Sequence, residues 1–251
     1  FGRQMYETAP LSFLLLIGLF ACQHRQTDAA KAPADSLASE ASLIQSASDI
    51  TASTPVSFLV IPGKQVGPVN AAATEASLVT LLGAGNVIRD TIYIAEGDFD
   101  IGTTLYKNTP DQAQILWTNN RRFADPKSVL LRPARNEFNN LLPGAAPIWV
   151  TTHGLKIGTS LRAVEKVNGR AFALYGFEWD YGGSSAGWKG GVLEQKDGKS
   201  FISLKFGVPE SLPASQERLY ESLMGDREFL SSNPAMQKLN PTVQTLTISF
   251  K

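Results

Sequence analysis

The sequence has little of the chemistry on which most enzymes depend. Its 251 residues include one cysteine and two histidines, so no disulfide can form within the chain and the common zinc sites are poorly supplied. Catalysis by a cysteine–histidine pair or a serine–histidine–aspartate triad is equally short of imidazoles. The 23 basic residues balance the 23 acidic ones and are scattered along the chain. Because nucleic-acid binding needs a concentrated basic surface, we expect no nucleic-acid partner.

The chain also lacks the glycine patterns that hold nucleotides. Neither a phosphate-cradling Gly-Lys-Ser/Thr loop nor a dinucleotide-binding pattern occurs between a strand and a helix. We therefore expect no cofactor and no bound metal. His153 stands between Thr152 and Gly154, a setting that favours a residue at a strand end over a metal ligand or a catalytic base.

The first apolar run, Leu11–Ala21, ends at the only cysteine. Its 11 residues are too few to cross a bilayer, which takes about 20, and match the core of a signal peptide. The string from Leu19 to Cys22 resembles the lipobox of bacterial lipoproteins, in which a cysteine is acylated and becomes the mature N-terminus. The resemblance implies a signal peptide over residues 1–21, a lipid such as palmitate on Cys22, and attachment to a membrane. The alternative is an ordinary secretory signal that carries a cysteine.

The residues behind the cysteine predict where the protein resides. Gln23–Gln26 contains no acidic residue, and in lipoproteins generally this favours the periplasmic face of the outer membrane. Residues 22–55 are rich in alanine and serine and have few bulky side chains, which is typical of a flexible tether. Such a tether has a root-mean-square length of roughly 30 Å. A short helix over Ser36–Ser48 is the alternative.

Residues 56–251 are predicted to form a globular α+β domain. Apolar and polar residues alternate in several short runs, which is typical of antiparallel sheets with one exposed face. Asp197-Gly198 lies between two such runs and predicts a hairpin. Helical patterns cover Thr74–Leu82, Thr159–Val167 and Pro213–Met224. The predicted strands are Val56–Ile61, Val87–Ala95, Thr103–Tyr106, Gln114–Trp117, Val129–Leu131, Ile148–Thr151, Ala171–Trp179, Gly191–Glu194, Phe201–Phe206 and Val243–Phe250.

The first two helical patterns suggest an internal repeat. Aligning Thr74 with Ser160 places Leu78 on Val164, Leu81 on Val167 and Gly83 on Gly169. We therefore predict two helix-then-hairpin halves, residues 56–147 and 148–251, that share a core. The segment from Gly154 to Gly169 resembles the opening of small secreted α+β modules. These include outer-membrane-assembly lipoproteins of the SmpA/OmlA type and the tandem modules of β-lactamase inhibitor protein.

The densest group of aromatic and glycine residues lies between Tyr175 and Gly191. Sugar rings stack on exposed aromatic faces, and neighbouring carboxylates accept hydrogen bonds from hydroxyls. The candidate ligand-binding residues are therefore Glu178, Trp179, Asp180, Tyr181 and Trp188. The alternative places Phe177 and Trp179 in the core and uses the glycines for turns.

Two further groups of charged residues are weaker candidates. Glu96, Asp98 and Asp100 offer three carboxylates but lack the spacing of a calcium loop, which favours a solvated face. The basic groups Asn119–Arg122 and Arg132–Arg135 could hold a carboxylate or a phosphate, although solvated loop charges are commoner.

Together these features predict a lipid-anchored protein of the bacterial envelope that acts as a binding or adaptor module rather than as an enzyme. Its expected partners are the membrane, through the lipid, and an envelope protein or cell-wall glycan. The main alternative is a carbohydrate-active or other hydrolase that uses Asp180 with Glu178 or Asp98. A structural spacer is the third interpretation.

Overall fold

The computed structural model describes residues 56–136, 141–142, 147–195, 197–198 and 200–251. The described residues lie within one compact unit, Ser53–Lys251. The predicted signal peptide, Cys22, the tether and the alternative helix over Ser36–Ser48 lie outside the described residues. Within those residues, no helix is both long and apolar enough to cross a membrane.

The α+β class with mostly antiparallel sheets is confirmed. The described residues form thirteen strands and four α-helices. The strands are β1 (Leu59–Ile61), β2 (Gln65–Val66), β3 (Val69–Asn70), β4 (Val87–Tyr93), β5 (Phe99–Leu105), β6 (Ala113–Asn119), β7 (Ala124–Leu131), β8 (Val150–Thr151), β9 (Ala173–Tyr175), β10 (Ser185–Gly187), β11 (Ile202–Gly207), β12 (Glu228–Leu230) and β13 (Thr242–Ser249). The helices are α1 (Glu75–Leu82), α2 (Leu161–Asn168), α3 (Ala214–Glu221) and α4 (Pro234–Leu239).

The largest sheet has six antiparallel strands in the order β11-β13-β7-β6-β5-β4. A second sheet has the order β3-β2-β1-β8, with β1 and β8 parallel, and a third has the antiparallel order β10-β9-β12. Strands from both predicted halves form the six-stranded sheet, since β7 of the first half pairs with β13 of the second. The two halves therefore share this sheet.

One large apolar core lies between the sheets and the helices. It includes Trp117, Trp149 and Trp188, each at most 2% exposed. A second, small cluster of Ile92 and two leucines, Leu116 and Leu130, is separate from this core. Gly102 allows the backbones to approach at this point, because a Cβ there would lie 2.3 Å from the carbonyl oxygen of Ile115 and 2.4 Å from Ile92.

The first two helices begin and end close to where the sequence predicts. Thr74 caps α1 by accepting from the Ser77 amide, and Gly83 ends the helix with φ 82°. In α2 the cap is Ser160 rather than Thr159, because the Thr159 hydroxyl accepts from the Lys156 amide instead. Gly169 closes α2 in the left-handed conformation.

The third helix is shorter than predicted, and one helix was missed. α3 ends at Glu221 rather than at Met224. α4 begins behind Asn233, whose side chain caps its first turn. Its six residues are too few to give a clear helical pattern in the sequence.

Some aligned residues of the predicted repeat occupy matching places, but Leu81 is 59% exposed whereas its counterpart Val167 packs against the core. Leu78 and Val164 are both buried, and each helix is followed by an antiparallel strand pair, β4–β5 or β9–β10. The cap residues Thr74 and Ser160 form matching isolated bridges, to the first residues of β7 and β13 respectively. The similarity ends there, because β4–β5 belongs to the six-stranded sheet and β9–β10 to the three-stranded one.

Two local predictions are wrong. Gly191–Glu194 forms turns rather than a strand, so Asp197-Gly198 makes a turn without forming a β-hairpin. A two-residue hairpin turn occurs instead at Glu96-Gly97, between β4 and β5, where both residues have positive φ.

Candidate functional site

An open groove of about 990 Å³ lies at one end of the six-stranded sheet. The start of β6, the exit of β7, the end of β11 and the start of β13 meet there, as the antiparallel register requires. The lining residues of the groove are Tyr93, Gln112, Gln114, Arg132, Pro133, Arg135, Leu141, Lys205, Phe206, Val208, Pro209, Glu210, Ser211, Gln244 and Thr245. Three cations and one carboxylate stand among these residues, so the described lining is electropositive.

Arg132, which directly follows β7, is half-buried in the groove wall. Its Nε donates to Oε1 of Gln114, and Nη2 donates to the carbonyl oxygen of Tyr93 over 3.0 Å. Only residues 103–105 of β5 pair with β6, so the end of the β4–β5 hairpin that carries Tyr93 is not paired with β6. This end of the hairpin contacts Arg132. Burial lowers the pKa of Arg132 and outweighs the opposing effect of Asp90. A partly desolvated charge is thus held by neutral oxygens.

Lys205 contributes a second cation from β11. Its Nζ donates to the backbone carbonyl oxygen of Asp180 over 3.0 Å. Removal of the ammonium from water lowers its pKa, and the positive charge of Arg132 lowers it further, whereas Asp180 raises it. Lys205 therefore lies within electrostatic reach of both Asp180 and Arg132. Neither of the two cations forms an ion pair with a residue that the structure describes.

Amide side chains complete the polar part of the groove. Gln114 is 6% exposed and orients Arg132, while Gln244 accepts from Nη2 of Arg135 over 3.2 Å. Gln244 also packs closely on Gly207, where a Cβ would lie 2.5 Å from its Nε2. These contacts fix the groove side chains before any ligand binds.

The candidate segment between Tyr175 and Gly191 presents a row of three aromatic rings. Trp179 makes edge-on contacts with Tyr175 and Tyr181, with centroids 5.3 Å apart in both pairs. Trp179 is half-buried and Tyr181 is exposed, so this aromatic row lies at the surface. The backbone of Asp180 links it to the groove through Lys205.

Phe177 and Trp188 belong to the core. Trp188 is 2% exposed, and its Nε1 donates to Ser200 Oγ over 2.8 Å and to the Ile202 carbonyl oxygen over 3.1 Å. Asn168 holds the turn around it by donating to the Trp188 carbonyl oxygen. The interpretation that placed Phe177 and Trp179 in the core holds for Phe177 but not for Trp179, which is half-buried. Trp188 is buried and separate from the surface group of Glu178, Trp179, Asp180 and Tyr181.

Glu178 is engaged by a neighbouring phenol. The Tyr220 hydroxyl donates to Oε1 of Glu178, and burial together with this carboxylate raises the pKa of Tyr220 above its usual range. Glu178 has φ 64°, a left-handed conformation that is uncommon outside glycine and asparagine. Neither Glu178, Asp180 nor Asp98 lines the groove, so the hydrolase interpretation gains no support from it.

The other charged groups of the sequence lie apart from the groove. Glu96 is in the β4–β5 turn, and Asp100 accepts from Asn120 over 2.9 Å. Asn119–Arg122 forms the turn between β6 and β7, at the opposite end of β7 from Arg132. The two predicted basic groups therefore do not converge.

His153 and the acidic residues do not build a metal centre. His153 is exposed in the turn after β8. Among the residues that the structure describes, no group of three or more histidine, cysteine, aspartate or glutamate side chains could hold a metal ion.

No family model, curated protein or solved structure matches this chain. The groove and the aromatic row must therefore be interpreted from their own chemistry. The sequence missed Lys205, Gln114 and Gln244 because each is a polar residue within a strand, far from the others along the chain. Only the sheet order brings their three strands together.

Proposed function

We propose that this chain is a lipid-anchored protein of the bacterial envelope whose globular unit binds a ligand in the groove. The groove is the observation that carries the binding role, because oriented polar side chains line it and it contains no pair of carboxylates among its described residues. The lipobox-like string at Cys22 and the alanine- and serine-rich tether support the anchor. We place the protein at the periplasmic face of the outer membrane, with an envelope protein or a cell-wall glycan as its partner.

Replacing Cys22 by serine tests the anchor. The Cys22→Ser protein should not incorporate labelled palmitate and should leave the membrane fraction for the soluble one, since buried acyl chains supply about 0.8 kcal/mol per CH₂ group. The Gln23→Ala variant keeps the cysteine and should behave as the wild type. Membrane association that persists without Cys22 would contradict the anchor.

Site-specific photo-crosslinking in intact envelopes tests the binding role. A photoreactive residue at Ser211, which is exposed at the groove, should capture an envelope component. The same residue at Lys64, which is exposed and does not line the groove, should not capture that component. Equal capture at the two positions, or none at Ser211, would contradict a binding role for the groove.

A further inference from the structure

We propose that the groove holds the carboxylate or phosphate group of a polar ligand between Arg132 and Lys205. This inference rests on the proposed binding role and names the chemistry of the ligand. Its first support is the charge balance, because three of the four charged residues among the described lining are cations.

The second support is the way in which the two cations are held. Arg132 and Lys205 donate to an amide oxygen and to backbone carbonyls, and neither makes an ion pair with a described residue, although Asp90 acts on Arg132 and Asp180 on Lys205 over longer distances. Keeping two like charges partly out of water costs free energy, and an anion between them would offset that cost. Charged groups that are partly buried and have perturbed pKa values are common at functional sites.

The third support is that donors remain for a ligand. Arg132 binds neutral oxygens through Nε and Nη2, and its Nη1 makes no hydrogen bond to any residue that the structure describes. Lys205 uses one of its three N–H groups on Asp180. Because Gln114 fixes the guanidinium, a ligand oxyanion would meet oriented donors and little side-chain freedom would be lost on binding.

The other lining residues of the groove indicate the chemistry of the rest of the ligand. Gln112, Gln244 and Thr245 offer amide and hydroxyl groups, whereas Val208 and Pro209 supply small apolar surfaces. A ligand with hydroxyl or amide groups beside its anion fits this lining. A purely apolar ligand would meet neither cation with an opposite charge and fits the lining less well.

Calorimetric titration of the full chain in non-ionic detergent tests the proposal. The probes are inorganic phosphate and galacturonate, with galactose as the uncharged counterpart and with ionic strength held constant. We expect phosphate or galacturonate to bind and galactose not to bind, and the stronger of the two anions identifies the preferred group. Arg132→Gln and Lys205→Gln should each weaken anion binding at least tenfold, since each removes a charge-assisted contact.

The control is Lys64→Gln, which removes an exposed charge away from the groove and should leave binding unchanged. Arg132→Gln also removes contacts to Gln114 and Tyr93, so its fold is checked by circular dichroism. If it does not fold, Lys205→Gln still decides, because it leaves those contacts in place and removes one of two repelling charges. In the wild type, bound phosphate should also raise the pKa of Lys205, as followed by nuclear magnetic resonance of methylated lysines.

Three outcomes would overturn the proposal. They are no binding of either anion, equal binding by the wild type and Lys205→Gln, and equal weakening by Lys64→Gln. A protein that still crosslinks through Ser211 but binds neither anion would retain the proposed binding role and refute the ligand chemistry alone. The two ideas can therefore fail separately.

Discussion

Replacing Trp188 by alanine should destabilise the protein far more than replacing Trp179. The Trp188 side chain is 2% exposed and packs on Phe172 with ring centroids 5.1 Å apart. Truncating a buried tryptophan costs about 3–5 kcal/mol through lost transfer free energy and an unfilled cavity. Its Nε1–H also serves Ser200 and Ile202, whose oxygens lose a donor in the variant. We therefore expect Trp188→Ala to lower the free energy of unfolding by about 4–5 kcal/mol.

Trp179 differs because it is half-buried and its main ring contacts are with two tyrosines. Each edge-on aromatic contact is worth about 0.5–1.5 kcal/mol beyond area burial, so the loss of two contacts in Trp179→Ala should cost about 1–3 kcal/mol. A Trp188→Phe variant gives an intermediate case. It keeps one aromatic ring but loses the indole donor and part of the buried volume, which predicts a cost of about 2–3 kcal/mol.

Urea denaturation of the full chain, followed by circular dichroism, measures all three variants. The slope of the unfolding free energy against urea should stay constant, so the midpoints report stability directly. A cost below about 2 kcal/mol for Trp188→Ala would refute the reasoning, because a buried tryptophan cannot be removed so cheaply from a packed core. Equal costs for Trp188→Ala and Trp179→Ala would refute the distinction between core and surface.

Three further predictions concern polar and glycine positions. Asn168→Ala should cost about 3 kcal/mol in urea denaturation, because its buried side chain bonds the turn around Trp188 from both its oxygen and its nitrogen. Burial raises the pKa of Asp90, but hydrogen bonds from Lys107 and Thr104 outweigh burial and hold the pKa below its ordinary value of 3.8. The charged carboxylate therefore stabilises the folded state above pH 3.8, and this stabilisation is lost as the pH falls through the lowered pKa. Asp90→Asn should accordingly lower the free energy of unfolding by about 1 kcal/mol at pH 7. The free energy of unfolding should also fall less on acidification in the variant than in the wild type, and the same dependence on pH in both proteins would contradict this. Gly102→Ala should cost about 2 kcal/mol or more because its Cβ would overlap a backbone oxygen, whereas Gly187→Ala, with open space at its Cβ, should change the thermal midpoint little.

The sequence predicts the helices and most long strands because their patterns are local. Leu78 and Val164 recur at helical spacing between a capping residue and a glycine, so α1 and α2 follow from nearby residues alone. The very short strands β2, β3, β10 and β12 escape prediction, since two or three residues carry no measurable alternation. Gly191–Glu194 fails for the opposite reason. Its composition resembles a strand, but hydrogen bonds to Asn168 hold it in turns.

The candidate site is less predictable than the fold. Clustering along the chain pointed to Glu178, Trp179, Asp180 and Tyr181, and these residues do lie together at the surface. The sequence could not show that Trp188 is buried while these four residues are at the surface, because the alternation of apolar and polar residues ends where the chain enters glycine-rich turns. The groove is lined by both Arg132 and Lys205, which lie 73 positions apart in the chain, and no local pattern encodes that pairing.

The place of β13 in the large sheet governs when that sheet can form. This strand separates β7 from β11, although it follows both in the chain. Until it arrives, β7 has an open edge and β11 has no partner within its sheet, so an incomplete chain exposes strand edges that invite aggregation. The groove at the end of this sheet can therefore be assembled only after nearly all of the polypeptide is available, because β11 and β13 both line it.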